Sequence, residues 1–332
     1  MTVYVFGAGA SRDAGYPLAN ELGNSLLEWA KHPGANSELC IDSIEELFER
    51  YGNLANLEQI LTDLDHCPPG SPVQSLSRER RGRLRAYIRV AIGELFRSLR
   101  QGPAPSYERL AHEKAGRDDV VITFNYDVAC ERELKRAGLW EISNGYGFSL
   151  NCNSIPPSQV SVLKLHGSAN WLEAAFHGAR GFFQSSGYPL GLRPIIRRSE
   201  FEFFGYPDGS QDSEAPAGSF GALPAMIMPT LNKQFYEQTS TGRELESFWG
   251  DLWAQAEWAL KSAEKIVMIG YGMAVADEKA RNLLLNAPNR HANIGIFCGG
   301  ATKTISSEFI VRGYSNIHAS GNRLFADYLR SD

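Results

Sequence analysis

Hydrophobic positions in this chain fall into short unbroken runs separated by longer stretches with helical spacing. Val3-Tyr4-Val5-Phe6 is the first run, and it breaks into Gly7-Ala8-Gly9-Ala10-Ser11. Val120-Val121-Ile122, Val162-Leu163-Lys164-Leu165 and Ile266-Val267-Met268-Ile269 follow, each ending in polar residues or glycine. Short apolar runs bounded by turn residues predict buried strands. Toward the C-terminus, strands are predicted at 265–269, 293–298 and 315–319, alternating with helices at about 276–286, 303–312 and 321–330. Such alternation predicts an α/β fold, a Rossmann-like parallel sheet with helices on both faces.

Between the first turn and the strand at Val120 the period changes to that of helices. Leu22, Leu26, Leu27 and Trp29 lie at helical spacing, as do Leu57, Ile60, Leu61 and Leu64. Pro68-Pro69-Gly70-Ser71-Pro72 breaks the pattern, and Arg78 to Arg100 reads as a longer helix. The whole is read as a single domain, with a core of 1–19 and 116–332 and a helical insertion, 20–115, after the first strand. The insertion is expected beside the crevice, as a lid or an oligomer interface. Arg78, Arg80, Arg81, Arg83 and Arg85 make the long helix basic at its start; they cannot share one face, so a solvated helix end is expected. Val128 to Ala137 and Arg243 to Ser262 read as helices, Ala225 to Thr230 as a buried strand, and 173–222 as irregular.

The polar clusters sit where a parallel sheet places ligands, at the carboxyl ends of the strands. Glycines at a strand-to-helix turn let backbone N–H groups approach a phosphate, so Gly7, Ala8, Gly9, Ala10 and Ser11 suggest a nucleotide pyrophosphate site. An ordinary tight turn would use the same residues, and Arg12 stands where a dinucleotide fingerprint has its third glycine. Asn125 and Asp127 alternate with bulky residues just past a strand and can enter one crevice. The Asn125 amide suits ribose hydroxyls or a water, whereas Asp127 would also serve as a cap for the following helix. His166 ends an apolar strand before Gly167, a setting in which a lone histidine is ordinarily structural. Asp277 precedes a helix and reads as its cap, with a ribose hydroxyl as the alternative.

Composition narrows the class. The chain has 332 residues and a formal charge of −5, enough for a substantial core and unsuited to broad adhesion to nucleic acid or anionic membranes. No apolar run approaches bilayer length, and no signal-like segment opens the sequence; a cytoplasmic protein is expected. The five cysteines, at 40, 67, 130, 152 and 298, are scattered and never form C-x-x-C. Buried free thiols are expected, with no metal.

Taken in order, Gly7-Ala8-Gly9-Ala10-Ser11, Thr123-x-Asn125-x-Asp127, His166-Gly167 and Gly270-Tyr271-Gly272 resemble the sirtuin superfamily. The likeness is nearer to bacterial sirtuin-like NAD-consuming proteins than to the protein deacylases. It covers strand ends along most of the chain, but not residues from about 20 to 115. The resemblance implies NAD as substrate, His166 as general base, Asp127 on the nicotinamide carboxamide, and Gly270, Tyr271 and Gly272 as a second nucleotide turn. Cys298-Gly299-Gly300 would border the adenine. It further implies an NAD glycohydrolase of antiphage defence, a homo-oligomer, and in some systems a HerA-type ATPase partner. Deacylation or ADP-ribosyl transfer, and a sensor that binds without turnover, remain the alternatives. Two departures weigh against deacylation. The cysteine ribbon is missing, and Leu18-Ala19-Asn20 follows Gly15-Tyr16-Pro17 where deacylases carry Asp-Phe-Arg.

Overall fold

The computed structural model describes residues 1–32, 38–52, 56–142, 145–147, 159–174, 222–231, 242–319 and 321–331. The chain begins with β1 (Thr2–Phe6), followed by a 3-10 helix (Ala8–Ala14). Five helices come next: α1 (Leu22–Ala30), α2 (Glu38–Tyr51), α3 (Leu57–His66), α4 (Arg78–Leu99) and α5 (Pro105–Glu113). After β2 (Val120–Thr123), α6 (Ala129–Arg136) and β3 (Ser161–Lys164), two further strands, β4 (Gly167–Ala174) and β5 (Ala222–Met226), pair antiparallel. The C-terminal part runs α7 (Gly242–Ser262), β6 (Lys265–Ile269), α8 (Glu278–Asn286), β7 (Asn293–Phe297), α9 (Thr302–Val311), β8 (Ile317–His318) and α10 (Phe325–Arg330).

The main sheet has the order β3-β2-β1-β6-β7-β8, and all its pairings are parallel. This is the doubly wound order, in which the direction of winding reverses between β1 and β6. Val3, Tyr4, Val5 and Phe6 are all at most 1% exposed, so both faces of the central strand are covered. Tyr4 and Phe6 share one face, by the two-residue period, and pack there against Tyr328, Tyr107 and Phe325. Burial on both faces explains the unbroken apolar runs.

The insertion helices spend their apolar stripes inside the chain. Leu22, Leu26, Leu57, Ile60, Leu61 and Leu64 are all buried. The basic start of α4 is largely neutralised, with Arg80 on Glu46, Arg83 on Glu79 and Arg85 on Asp65.

Two differences from the sequence reading have clear causes. In the sequence a helix-like segment is expected only after Gly15-Tyr16-Pro17, whereas the first turn continues directly into the 3-10 helix, with Gly7 itself at its start. The strand expected at 225–230 is instead Ala222–Met226, in a separate two-stranded sheet with β4. That sheet forms because the chain kinks after His166: Gly167 adopts φ 82° and pairs with Met226. A Cβ at Gly167 would lie 2.0 Å from the Ala225 carbonyl oxygen, so only glycine allows the turn. The irregular stretch predicted for 173–222 lies almost wholly outside the described residues, as does Cys152.

Candidate active site

At the reversal point the turns after β1 and β6 interlock. Gly7 N donates to Ile269 O at 3.1 Å and Gly9 N to Gly270 O at 3.0 Å. Gly270 has φ 63°, and a Cβ there would lie 2.2 Å from the Ala10 nitrogen. The two backbones therefore touch without side chains between them, and together they make the floor of a cavity of about 370 Å³.

The strand ends bring the predicted polar residues to this cavity. Gly7, Ala8, Ser11, Asn125, Asp127, His166, Gly270, Tyr271 and Gly272 all line it. Gly9, Ala10 and Thr123 are not on its wall and act behind it. Ala10 N donates to Gly7 O, closing the turn, and Thr123 Oγ1 accepts from Asn125 N at 3.1 Å. With the Gly7, Gly9 and Ala10 amides committed within the protein, the cradle expected of the whole turn narrows. Ala8 lies on the wall, and no bond among the described residues takes up its amide. Arg12, at the third-glycine position, is exposed and pairs with Glu21.

Asn125 is 8% exposed, and its Nδ2 donates to Gly7 O and to Ser11 Oγ, each at 3.0 Å. Ser11 Oγ in turn lies 2.9 Å from Tyr107 Oη. Both amide hydrogens are thus used to tie β2 to the glycine turn. What Asn125 retains for a ligand is its acceptor oxygen, which suits the hydrogen of a water or a sugar hydroxyl. Asp127 lines the cavity, and its Oδ1 accepts from Ala129 N at 3.1 Å; the N-cap position of α6 falls on Val128, one residue later than the capping expectation for Asp127.

Below the wall runs a buried polar network. Lys164 Nζ pairs with Glu131 Oε1 at 2.8 Å, both side chains at most 1% exposed, and also donates to the Asp127 carbonyl. Tyr146 donates to Glu131 and accepts from Asn170. Desolvation pushes the Glu131 carboxyl up, against the pull of Lys164. The network fixes the backbone at Asp127 from beneath.

His166 is 2% exposed, and its Nε2 lies 3.2 Å from Asp277 Oδ2. The same carboxylate oxygen accepts from Tyr271 Oη at 3.3 Å. Asp277 does stand at the start of α8, but its side chain makes no cap hydrogen bond. The capping expectation is therefore corrected: the carboxylate turns inward to the histidine. Burial, then the adjacent carboxylate, pushes the Tyr271 phenol well up, which keeps its O–H available as a donor. Phe124 stacks on Tyr271, ring centroids 4.5 Å apart, and tilts against the imidazole at 5.0 Å.

Several wall residues carried no functional signal in the sequence. Leu22, Glu58 and Phe96 reach the cavity from α1, α3 and α4, so the insertion completes the site. Tyr16, stacked on Phe96, adds a phenol raised by burial. Cys298 also lines the cavity, with a thiol that burial pushes up to about 11. His177 lies outside the described residues, and His318 sits on the edge strand β8. Among the described residues, no group of histidine, cysteine and carboxylate side chains could hold a metal ion, and Cys40, Cys67, Cys130 and Cys298 are not joined in disulfides.

No family model matches the sequence, and no curated protein matches it. Solved structures align along nearly its whole length at low identity. "Structure of Sir2Tm bound to a propionylated peptide" aligns with a TM-score of 0.42 and 13% identity over 99% of this chain and 90% of that one. "Sir2-p53 peptide-NAD+" gives 0.42 and 14% over 99% and 90%. "Sir2 bound to acetylated peptide" gives 0.41 and 13% over 99% and 90%. The likeness is one of chain path alone. Residue roles rest on the geometry above.

Proposed function

We propose that this cavity binds NAD and that the chain is an NAD glycohydrolase, releasing ADP-ribose and nicotinamide. The observation that supports it most is the meeting of Asn125 and His166, from the ends of neighbouring strands, on one wall with the glycine turns. A cavity of about 370 Å³ lies within the ordinary range for small-molecule sites. The motifs' resemblance to sirtuin-like NAD-consuming proteins names the ligand.

The chemistry asks little beyond positioning. The cationic pyridinium leaves as neutral nicotinamide, so the site must stabilise an oxocarbenium-like sugar and deliver a nucleophile. In this reading Asn125 holds the attacking water or a ribose hydroxyl through its acceptor oxygen. His166 takes the proton. The Ala8 amide and Ser11 lie toward the pyrophosphate, Asp127 toward the carboxamide, and Tyr271 and Gly272 along the other half of the nucleotide. The same resemblance extends the proposal to NAD depletion in antiphage defence, controlled by self-assembly or by a HerA-type ATPase.

The test is to incubate purified chain with NAD and separate the products, with and without an acyl-lysine peptide. Nicotinamide and ADP-ribose without peptide support the reading. Peptide-dependent formation of acyl-ADP-ribose would replace it with deacylation, and binding without turnover would replace it with a sensor.

A further inference from the structure

His166 and Asp277 come from segments more than a hundred residues apart, yet both line the cavity and their nearly buried side chains meet there. His166 Nε2 and Asp277 Oδ2 are 3.2 Å apart and both side chains are 2% exposed. Tyr271 Oη donates to the same oxygen. The contact is one of ion-pair distance and does not have hydrogen-bond geometry at Nε2, but a carboxylate oxygen only accepts, so charge favours a hydrogen on the imidazole nitrogen that faces it. Asp277 spends none of its side chain on capping α8, although it stands at the capping position. We infer that Asp277 is the positioning carboxylate of His166, holding the neutral imidazole as its Nε2–H tautomer with the lone pair on Nδ1.

This inference rests on His166 being the base of the proposed reaction, and it says how that base works. A water proton moves to Nδ1 as the oxygen bonds to C1′. The N-glycosidic bond breaks with its electron pair going to the ring nitrogen, and nicotinamide leaves neutral. The imidazolium so formed has both nitrogens protonated, and Asp277 stabilises it across the existing contact. Tyr271 fixes the carboxylate. Phe124, stacked on Tyr271 and tilted against the imidazole, limits rotation of both.

Among the described residues, the other ionisable groups around the pair have other contacts. On the cavity wall, Cys298 and Tyr16 are held neutral by burial. Asp127 accepts from Ala129 N through Oδ1, and Glu58 reaches the wall from α3. Arg281 of α8 bonds Met273 O and Glu308, and Lys279 lies over the Trp253 ring. Behind the wall, Lys164 is paired with Glu131.

The experiment is nitrogen-15 NMR of the imidazoles in labelled full-length chain, with His166 assigned by its loss in His166→Ala. The wild type should show an unprotonated Nδ1 and protonated Nε2 above its titration. In Asp277→Asn the His166 titration should move down by about a unit or more, the loss expected when an adjacent opposite charge is removed. The acid limb of the kcat profile should move with it, with kcat falling about a hundredfold. Asp277→Glu should recover part of both. A merely structural Asp277 would lower the melting temperature and leave the histidine's tautomer and titration in place. An Nδ1–H tautomer in the wild type, or an unchanged titration with full kcat in folded Asp277→Asn, overturns the inference. The wild-type tautomer needs no variant to fold. If the wild type cleaves no NAD, the functional reading fails while the spectra still decide the pairing.

Discussion

At the scale of residues, Asn125 and His166 are separable from their surroundings because each presents polar atoms to a cavity. His166→Ala and Asn125→Ala should each reduce NAD cleavage about a hundredfold or more while the chain stays folded, measured by product formation beside circular dichroism. Asn125→Asp should do something different. It replaces the Nδ2 donor with an oxygen facing Gly7 O and Ser11 Oγ. A stability loss of about 1–3 kcal/mol in urea titration is expected from it, in addition to lost activity. Cys298 gives a pH test. An acid whose proton is retained by burial exposes less thiolate, so with its thiol pushed up to about 11 its alkylation in the folded chain should rise near pH 11, not near pH 9. Asn125 and His166 stand out in the sequence because Thr123-x-Asn125-x-Asp127 and His166-Gly167 fall in the order that carries the family resemblance, whereas a lone histidine at a strand end is ordinarily structural. Asp277 does not stand out, because an aspartate one residue before a helix reads as a cap and its turn toward His166 is decided 111 residues away.

At the scale of elements, the parallel strands could be read because burial on both faces leaves continuous apolar runs. The β4–β5 pair could not, since its edge depends on a glycine kink and on a partner more than fifty residues on. The insertion helices were visible by period, and their place in the chain after the first turn suggested a position beside the crevice; which of their residues reach the wall was not legible, because a buried stripe does not name what it packs against. The Lys164–Glu131 pair joins β3 to α6 below the cavity. Removing one partner strands a buried charge, so Glu131→Gln should cost about 3–5 kcal/mol, read from urea unfolding. Glu131→Gln combined with Lys164→Met should recover much of that loss, since no unpaired charge then remains.

At the scale of the whole molecule, the cavity takes its walls from the sheet and from the insertion together. A ligand that binds only this assembled state stabilises all of it, by about 2.7 kcal/mol at a hundred times its dissociation constant. NAD added to the non-cleaving His166→Ala chain should therefore raise its melting temperature in a single transition; an unmoved melting point would count against NAD as the ligand. Among the described residues no helix is long and apolar enough to cross a membrane. The interlocked glycine turns carry a consequence for how binding ability arises during folding. Their contacts join residues 7–10 to residues 269–270, so almost the whole chain must be looped before the two backbones can meet. Contacts of such high separation demand the largest loop closure. A nascent or truncated chain ending before Gly270 can hold Asn125 and His166 and still have no floor beneath a nucleotide. On the proposed reading, competence to bind NAD arrives only with the last fifth of the chain, since a product of synthesis ending before Gly270 lacks the floor of the site.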